Sequence, residues 1–316
     1  MKKDLKVICD EFLVYQDMVK DQYFGGYRTV YPVCAYIYLA KREVPNLDFL
    51  RYCKSLMKKE FGAFSSFRSY GEKIFTVLLA IDPEPERKLA LSLAAYQFLR
   101  TRFHGSAFLP LLALWMTDNV VTDDYVVIAE KTNTIYRMMN DEHFFLTTSE
   151  DVPFAGLLAM TDRDEPAIIR EMEYIFDRLN KRFPFHKNAM QTLSQALTLC
   201  YGDPDEKCDN LFSLYSKLEN KGIRYSKSYE IAILGILANI GIDHGMILRD
   251  FSEVDKYLAK QGGYGFLGFG KRSRYMHTVM ILMSYHMANN IEAVNAVILV
   301  ALLEIQESQQ AAAAAA

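Results

Sequence analysis

The sequence lacks most of the patterns that announce a chemistry. Among 316 residues there is one tryptophan, Trp115, and the five cysteines (Cys9, Cys34, Cys53, Cys200, Cys208) include no C-x-x-C pair. That argues against a zinc ribbon, a dithiol redox site and a disulfide framework, and leaves small buried hydrophobes in a reducing compartment, with a cytoplasmic location expected. No charge dominates: 36 Lys and Arg against 39 Asp and Glu give a formal net charge of −3, so no nucleic-acid partner is expected. The longest apolar run, residues 293–305, is too short to cross a bilayer, and Asp4, Asp10 and Glu11 break up the first segment as a signal peptide, so no membrane partner is expected either.

Catalytic and metal-binding spacings are missing too. The histidines (His104, His143, His186, His244, His277, His286) never stand at i, i+3 or i+4, and no H-E-x-x-H or adjacent His-Asp pair occurs. There is no G-x-S-x-G elbow and no D-D-x-x-D run; Asp123-Asp124 is followed by Tyr125, Val126 and Val127. No catalytic residue, metal or cofactor is therefore assigned. Alternating β-branched runs bounded by glycine turns are also absent.

What the chain does have is repetition. The phrases "VLLAIDPEPE", "GLLAMTDRDEP", "LTLCYGDPDE" and "GILANIGID" each end an apolar helical run in helix-breaking Asp, Asn or Pro. Ala40, Ala80, Trp115, Ala159, Cys200, Ala238 and Ser284 are equivalent positions, spaced 40, 35, 44, 41, 38 and 46 apart. A second, amphipathic run follows each: Ile168, Met172, Ile175 and Leu179 share one helical face, with Asp162 and Asp164 supplying cap chemistry before them. "NVVTDDYVVIAEK" is read as a loop entering a helix, because Ile128, Thr132, Ile135 and Met139 keep helical spacing.

The expected fold is all-α: six or seven stacked antiparallel helical hairpins of roughly 40 residues, forming an α/α superhelix or a ring. One domain is expected over residues 1–310, with a capping helix at 1–25 and a terminal helix at 291–308. Phe12, Tyr15, Met18 and Tyr23 would form the apolar side of the first of these. The alanines at 311–316 are read as an artefact outside it.

The stretch "GGYGFLGFGKRSRY", residues 262–275, imitates a phosphate-binding loop but has Arg272 where a P-loop places a hydroxyl, and a helix before it where a strand is needed. It aligns instead with the other loops between hairpins. Gly262 would then match Gly222 as a helix C-cap, Phe269 would match Tyr225 and Phe185 as a buried plug, and Ser273 would open the next helix. Lys271, Arg272 and Arg274, at a helix start, are the candidate anion-binding residues. Arg68 and Tyr70, in the "SSFRSYGEK" loop, join them as candidate binding residues, and Lys187 and Lys227 occupy similar loop positions.

The segments "FGAFSSFRSYGEKIFTVLLA", "VPFAGLLAMTDRDEPAIIREMEYIF" and "NAMQTLSQALTL" resemble an uncharacterised bacterial family filed as a domain of unknown function, the four-thousand-and-third so named. That resemblance implies a soluble bacterial protein and brings no catalytic residue with it. The function expected is a non-enzymatic binding or scaffold protein offering a concave surface to a peptide, a protein or an anionic small ligand. The alternatives are an enzyme with an α/α ring and a central pocket, and a homodimer formed through the C-terminal helix.

Overall fold

The computed structural model describes residues 1–23, 28–69, 71–265, 268–287 and 291–314, with the side chains of 291, 292, 304 and 307–314 left aside. Among the described residues every regular element is helical and none is a strand, as expected. The α-helices are α1 (Lys3–Asp21), α2 (Val30–Lys41), α3 (Leu47–Glu60), α4 (Glu72–Ala80), α5 (Pro85–Arg100), α6 (Leu109–Asn119), α7 (Tyr125–Glu142), α8 (Val152–Ala159), α9 (Glu165–Arg182), α10 (Lys187–Thr198), α11 (Pro204–Asn220), α12 (Ile231–Ala238), α13 (His244–Leu258), α14 (Lys271–His286) and α15 (Ile291–Ala314). Short 3₁₀ turns at Ser66–Arg68 and Thr122–Asp124 precede α4 and α7. The residues form two compact units. One comprises Met1–Lys20, Tyr31–Val44 and Met172–Glu304; the other comprises Asp21–Val30, Pro45–Glu171 and Ile305–Ala316.

Two kinds of helix alternate, and composition explains both. The even-numbered helices are uncharged along most of their length and bury every side there. All eight residues of α8 (VPFAGLLA) and of α12 (IAILGILA) are buried, as are the first eight of α6. The odd-numbered helices from α1 to α13 bury one stripe and leave a charged face in water, such as Leu50, Cys53 and Met57 on α3, or Ile247, Phe251, Val254 and Leu258 on α13. Helix α15 departs from this, being buried on all sides over residues 293–303. On α9 the face read from sequence, Ile168, Met172, Ile175 and Leu179, is buried as expected.

The ends of these helices are marked by their own side chains. Asp164 accepts a hydrogen bond from the amide of Ala167 at 3.1 Å. Asp203 accepts from the amides of Asp205 at 2.9 Å and Glu206 at 3.4 Å, with Pro204 in the first turn. Gly222 is a left-handed cap with φ 74°. After α13 the expected Gly262 cap is not found: the helix is capped at Ala259, the left-handed residue is Gly263, φ 87°, in the loop beyond, and α14 opens at Lys271 rather than Ser273.

Within the second unit α4 packs on α6 and α6 on α8, with α3, α5 and α7 against them. Within the first, α10 packs on α12 and α12 on α14, backed by α11 and α13. Close approach is set by glycine. A Cβ on Gly156 of α8 would lie 2.3 Å from Cδ1 of Leu112 on α6, and one on Gly235 of α12 would lie 2.6 Å from Cδ1 of Leu193 on α10. A Cβ on Gly71, just before α4, would lie 3.5 Å from the carbonyl oxygen of Ala107, just before α6, so the amino ends of these two helices share one side.

Filling that gap should be costly. Gly235→Val is expected to lower stability by about 2 kcal/mol through overpacking, read as a lower urea midpoint at unchanged slope. An unchanged midpoint would mean that α10 and α12 do not meet at this glycine.

Candidate functional site

The loops that enter the even-numbered helices carry the residues singled out from sequence. In the first unit the glycine loop before α14 folds on itself. The amide of Phe269 donates to the carbonyl of Gly263 at 2.7 Å and that of Gly268 to Gly265 at 2.8 Å. A Cβ on Gly268 would fall 1.9 Å from the Gly263 oxygen, so glycine is required there. A P-loop holds its amides free for phosphate; here two are consumed internally, and the preceding α13 is helical. Residues 266–267 lie outside the described set.

The loop packs Tyr264 and Phe269 around His277 of α14. Tyr264 Oη lies 2.8 Å from Nδ1 of His277, and the rings of Phe269 and Phe12 lie 4.9 and 5.9 Å from the imidazole. Burial pushes the His277 pKa down to about 3 and the Tyr264 phenol upward, so both are neutral members of the core near pH 7. The lengthened loop is an aromatic plug, and its buried Phe269 behaves as the sequence comparison expected.

The basic cluster behind it is engaged. Arg272 forks onto the carboxylate of Glu230, which is 1 % exposed, with Nη2 at 2.9 Å from Oε2 and Nε on Oε1. Arg274 Nε lies 2.6 Å from Oδ1 of Asp255. Lys271 is exposed and stands 5.4 Å over the ring of Tyr275. In the other unit Arg68 lies 3.3 Å from Glu72 and also donates to the carbonyl of Phe61. Tyr70 lies outside the described residues. Lys227 stands over the rings of Phe183 and Tyr215, and Lys187 is exposed. The three arginines thus contribute first to the fold: Arg272 and Arg274 tie α14 to Glu230 and to α13, and Arg68 ties its loop to α4.

The same loops hold a feature that sequence reading missed. Phe64 before α4, Phe145 before α8 and Phe185 before α10 are 104 %, 94 % and 95 % exposed, and Phe144 is 68 % exposed. Phe185 is therefore not the buried plug expected. Its φ of 74° turns it outward, and Phe183, 1 % exposed and 5.0 Å from the ring of Tyr215, fills the inner position. Likewise Phe61, stacked 4.3 Å from Phe67, takes the inner place beside the outward Phe64. Only Tyr225 and Phe269 keep the expected burial. The pairing of one inner and one outer aromatic was present in "FGAF" and "FPF", but helical spacing does not extend into loops to sort them.

Four cysteines are buried and Cys200 is partly so; all five are free. Burial pushes the thiols of Cys9 and Cys53 up to about 12 and that of Cys208 to about 11, far from a nucleophile's range. Among the described residues no three His, Cys, Asp or Glu side chains gather as metal ligands, and no helix is long and apolar enough to cross a membrane. The chain matches, over residues 14–311, the family described as protein of unknown function (DUF4003), and it belongs to that family. No curated protein and no solved structure matches it.

Two neighbouring cations should behave differently. Arg272→Ala strands the Glu230 carboxylate and should lower stability by about 2 kcal/mol, less than for a fully buried pair because Arg272 is half exposed. Lys271→Ala should stay within about 0.5 kcal/mol of the parent. Urea denaturation separates the two, and equal effects would contradict the structural role given to Arg272.

Proposed function

We propose that this member of the family is a binding protein for a peptide or protein partner, held through the exposed phenylalanines of its inter-helix loops. The observation that carries the reading is the near-complete exposure of Phe64, Phe145 and Phe185 at equivalent loop positions, where Tyr225 and Phe269 are buried. An exposed Phe contributes nothing to the chain's own core. Buried in a partner, each stabilises the complex by about 2 kcal/mol, and aromatic anchors of this kind dominate protein interfaces. Loops fixed on a rigid scaffold are also where binding residues concentrate.

An anionic ligand is the weaker form of the proposal, because Arg272, Arg274 and Arg68 already face carboxylates. A homodimer through α15 would have to use another face than its apolar run, since residues 293–303 are buried within the chain. A cytoplasmic, bacterial setting belongs to the same proposal.

The finer architecture we propose is a repeat of hairpins, each an amphipathic helix followed by a buried one. Within each unit, even helices pack on even helices and odd ones back them, which supports this. Within the first unit the first helix joins this packing: Tyr257 of α13 donates to Asp10 of α1, and Tyr285 of α14 donates to Asp4 at 2.6 Å.

The test is site-specific photo-crosslinking. A photoreactive phenylalanine analogue replaces Phe145 in the full chain expressed in a bacterium, and replaces Val121, also exposed at 68 %, as control. A discrete adduct at 145 and not at 121, lost when Phe64 and Phe144 are changed to Ser, is the expected result. Identical adduct patterns at both positions would overturn the reading.

A further inference from the structure

At the opposite ends of the buried helices of the first unit lies a cavity of about 320 Å³. Its walls come from the residues that end α10, α12 and α14, with Ala293 and Ala296 of α15 beside them. The walls are apolar at Leu199, Ile236, Ile240 and Met287. Among the described residues the polar groups lining it are Cys200, Tyr201, Asn239 and His286, and no lysine, arginine or carboxylate is one of them. The volume is at the lower end of the range that holds small molecules.

Three features set the sign of charge the cavity prefers. Helix carboxyl ends present carbonyl lone pairs and the negative end of the dipole, and three converge here. Asp250, 2 % exposed, lies just behind His286, its Oδ2 3.4 Å from Nε2. His286 has a side chain only 8 % exposed, and its Nε2 makes no hydrogen bond. Burial holds its pKa down against the pull of Asp250, so the ring is neutral near pH 7 and adds no positive charge. Lys2 Nζ lies 3.5 Å from the same Oδ2 and offsets part of the Asp250 charge, which leaves the three helix carboxyl ends as the main source of negative potential.

We infer that this cavity binds a small cationic amphiphile, with a protonated amine directed at the helix carboxyl ends and His286, and an apolar body against Leu199, Ile236 and Met287. Tyr201, 83 % exposed at the rim, lies where it can cover the bound body. This site is separate from the loop phenylalanines and does not depend on a protein partner.

Three probes of one shape and different charge test it by calorimetry on the full chain: phenethylamine, 2-phenylethanol and 3-phenylpropionate. Phenethylamine should bind at one site, with the carboxylate about tenfold weaker or undetected. Ala296→Phe, which fills the cavity, should abolish that binding. Should this variant not fold, Tyr201→Ala, a change at an exposed position, should still weaken the amine several-fold. Equal binding of amine and carboxylate, absence of amine binding at millimolar concentration, or an amine affinity unchanged in Tyr201→Ala would each overturn the inference.

Discussion

The structure depends on burying short helices on all sides. A segment such as IAILGILA has no face that water tolerates, so it is stable only when other helices surround it, and it must carry its own backbone hydrogen bonds. Everything charged is thereby expelled to the amphipathic helices outside or to the ends of the buried ones. Gly156 and Gly235 set how closely neighbours come, because a single Cβ at either would meet a leucine. The side walls of α8 and α12 carry no polar side chain, and the ends of the buried helices gather most of their charged ones.

Each end has its own character. At the amino ends the loops must reverse direction and plug the space above the core, and they do so with aromatics. Where the loop is long, as before α14, Tyr264 and Phe269 close over His277. Where it is short, one aromatic goes in and the next is left outside. At the carboxyl ends of α10, α12 and α14 small residues and a neutral histidine leave a space. Arg272 and Arg274 at the start of α14 are drawn into structure, pairing with the buried Glu230 and with Asp255.

Much of the fold was legible in the sequence, and the reasons are local. Helix period, Asp164 and Asp203 caps and the Gly222 stop are chemistry within a few residues, and each stands as read. The family, too, could be read from three segments. What was not legible depends on contacts far along the chain. Nothing near Arg272 announces Glu230, 42 residues away, so a paired arginine looked like an available one. Phe185 and Phe183 are equivalent by composition, and only the left-handed backbone at 185 separates them. The cavity is invisible to any motif, because its lining residues come from four separate segments, near 200, 240, 286 and 295, without sharing a pattern.

The central claim is that the fully buried helices are the stable framework and the functional groups sit at their ends. Native-state hydrogen exchange measures it most directly. The amides of α8 and α12 should exchange only through global unfolding, with the highest protection in their units, while those of the amphipathic α9 and α11 and of the loops bearing Phe64, Phe145 and Phe185 open at lower cost. Faster exchange in α8 or α12 than in α9 or α11 would contradict the account.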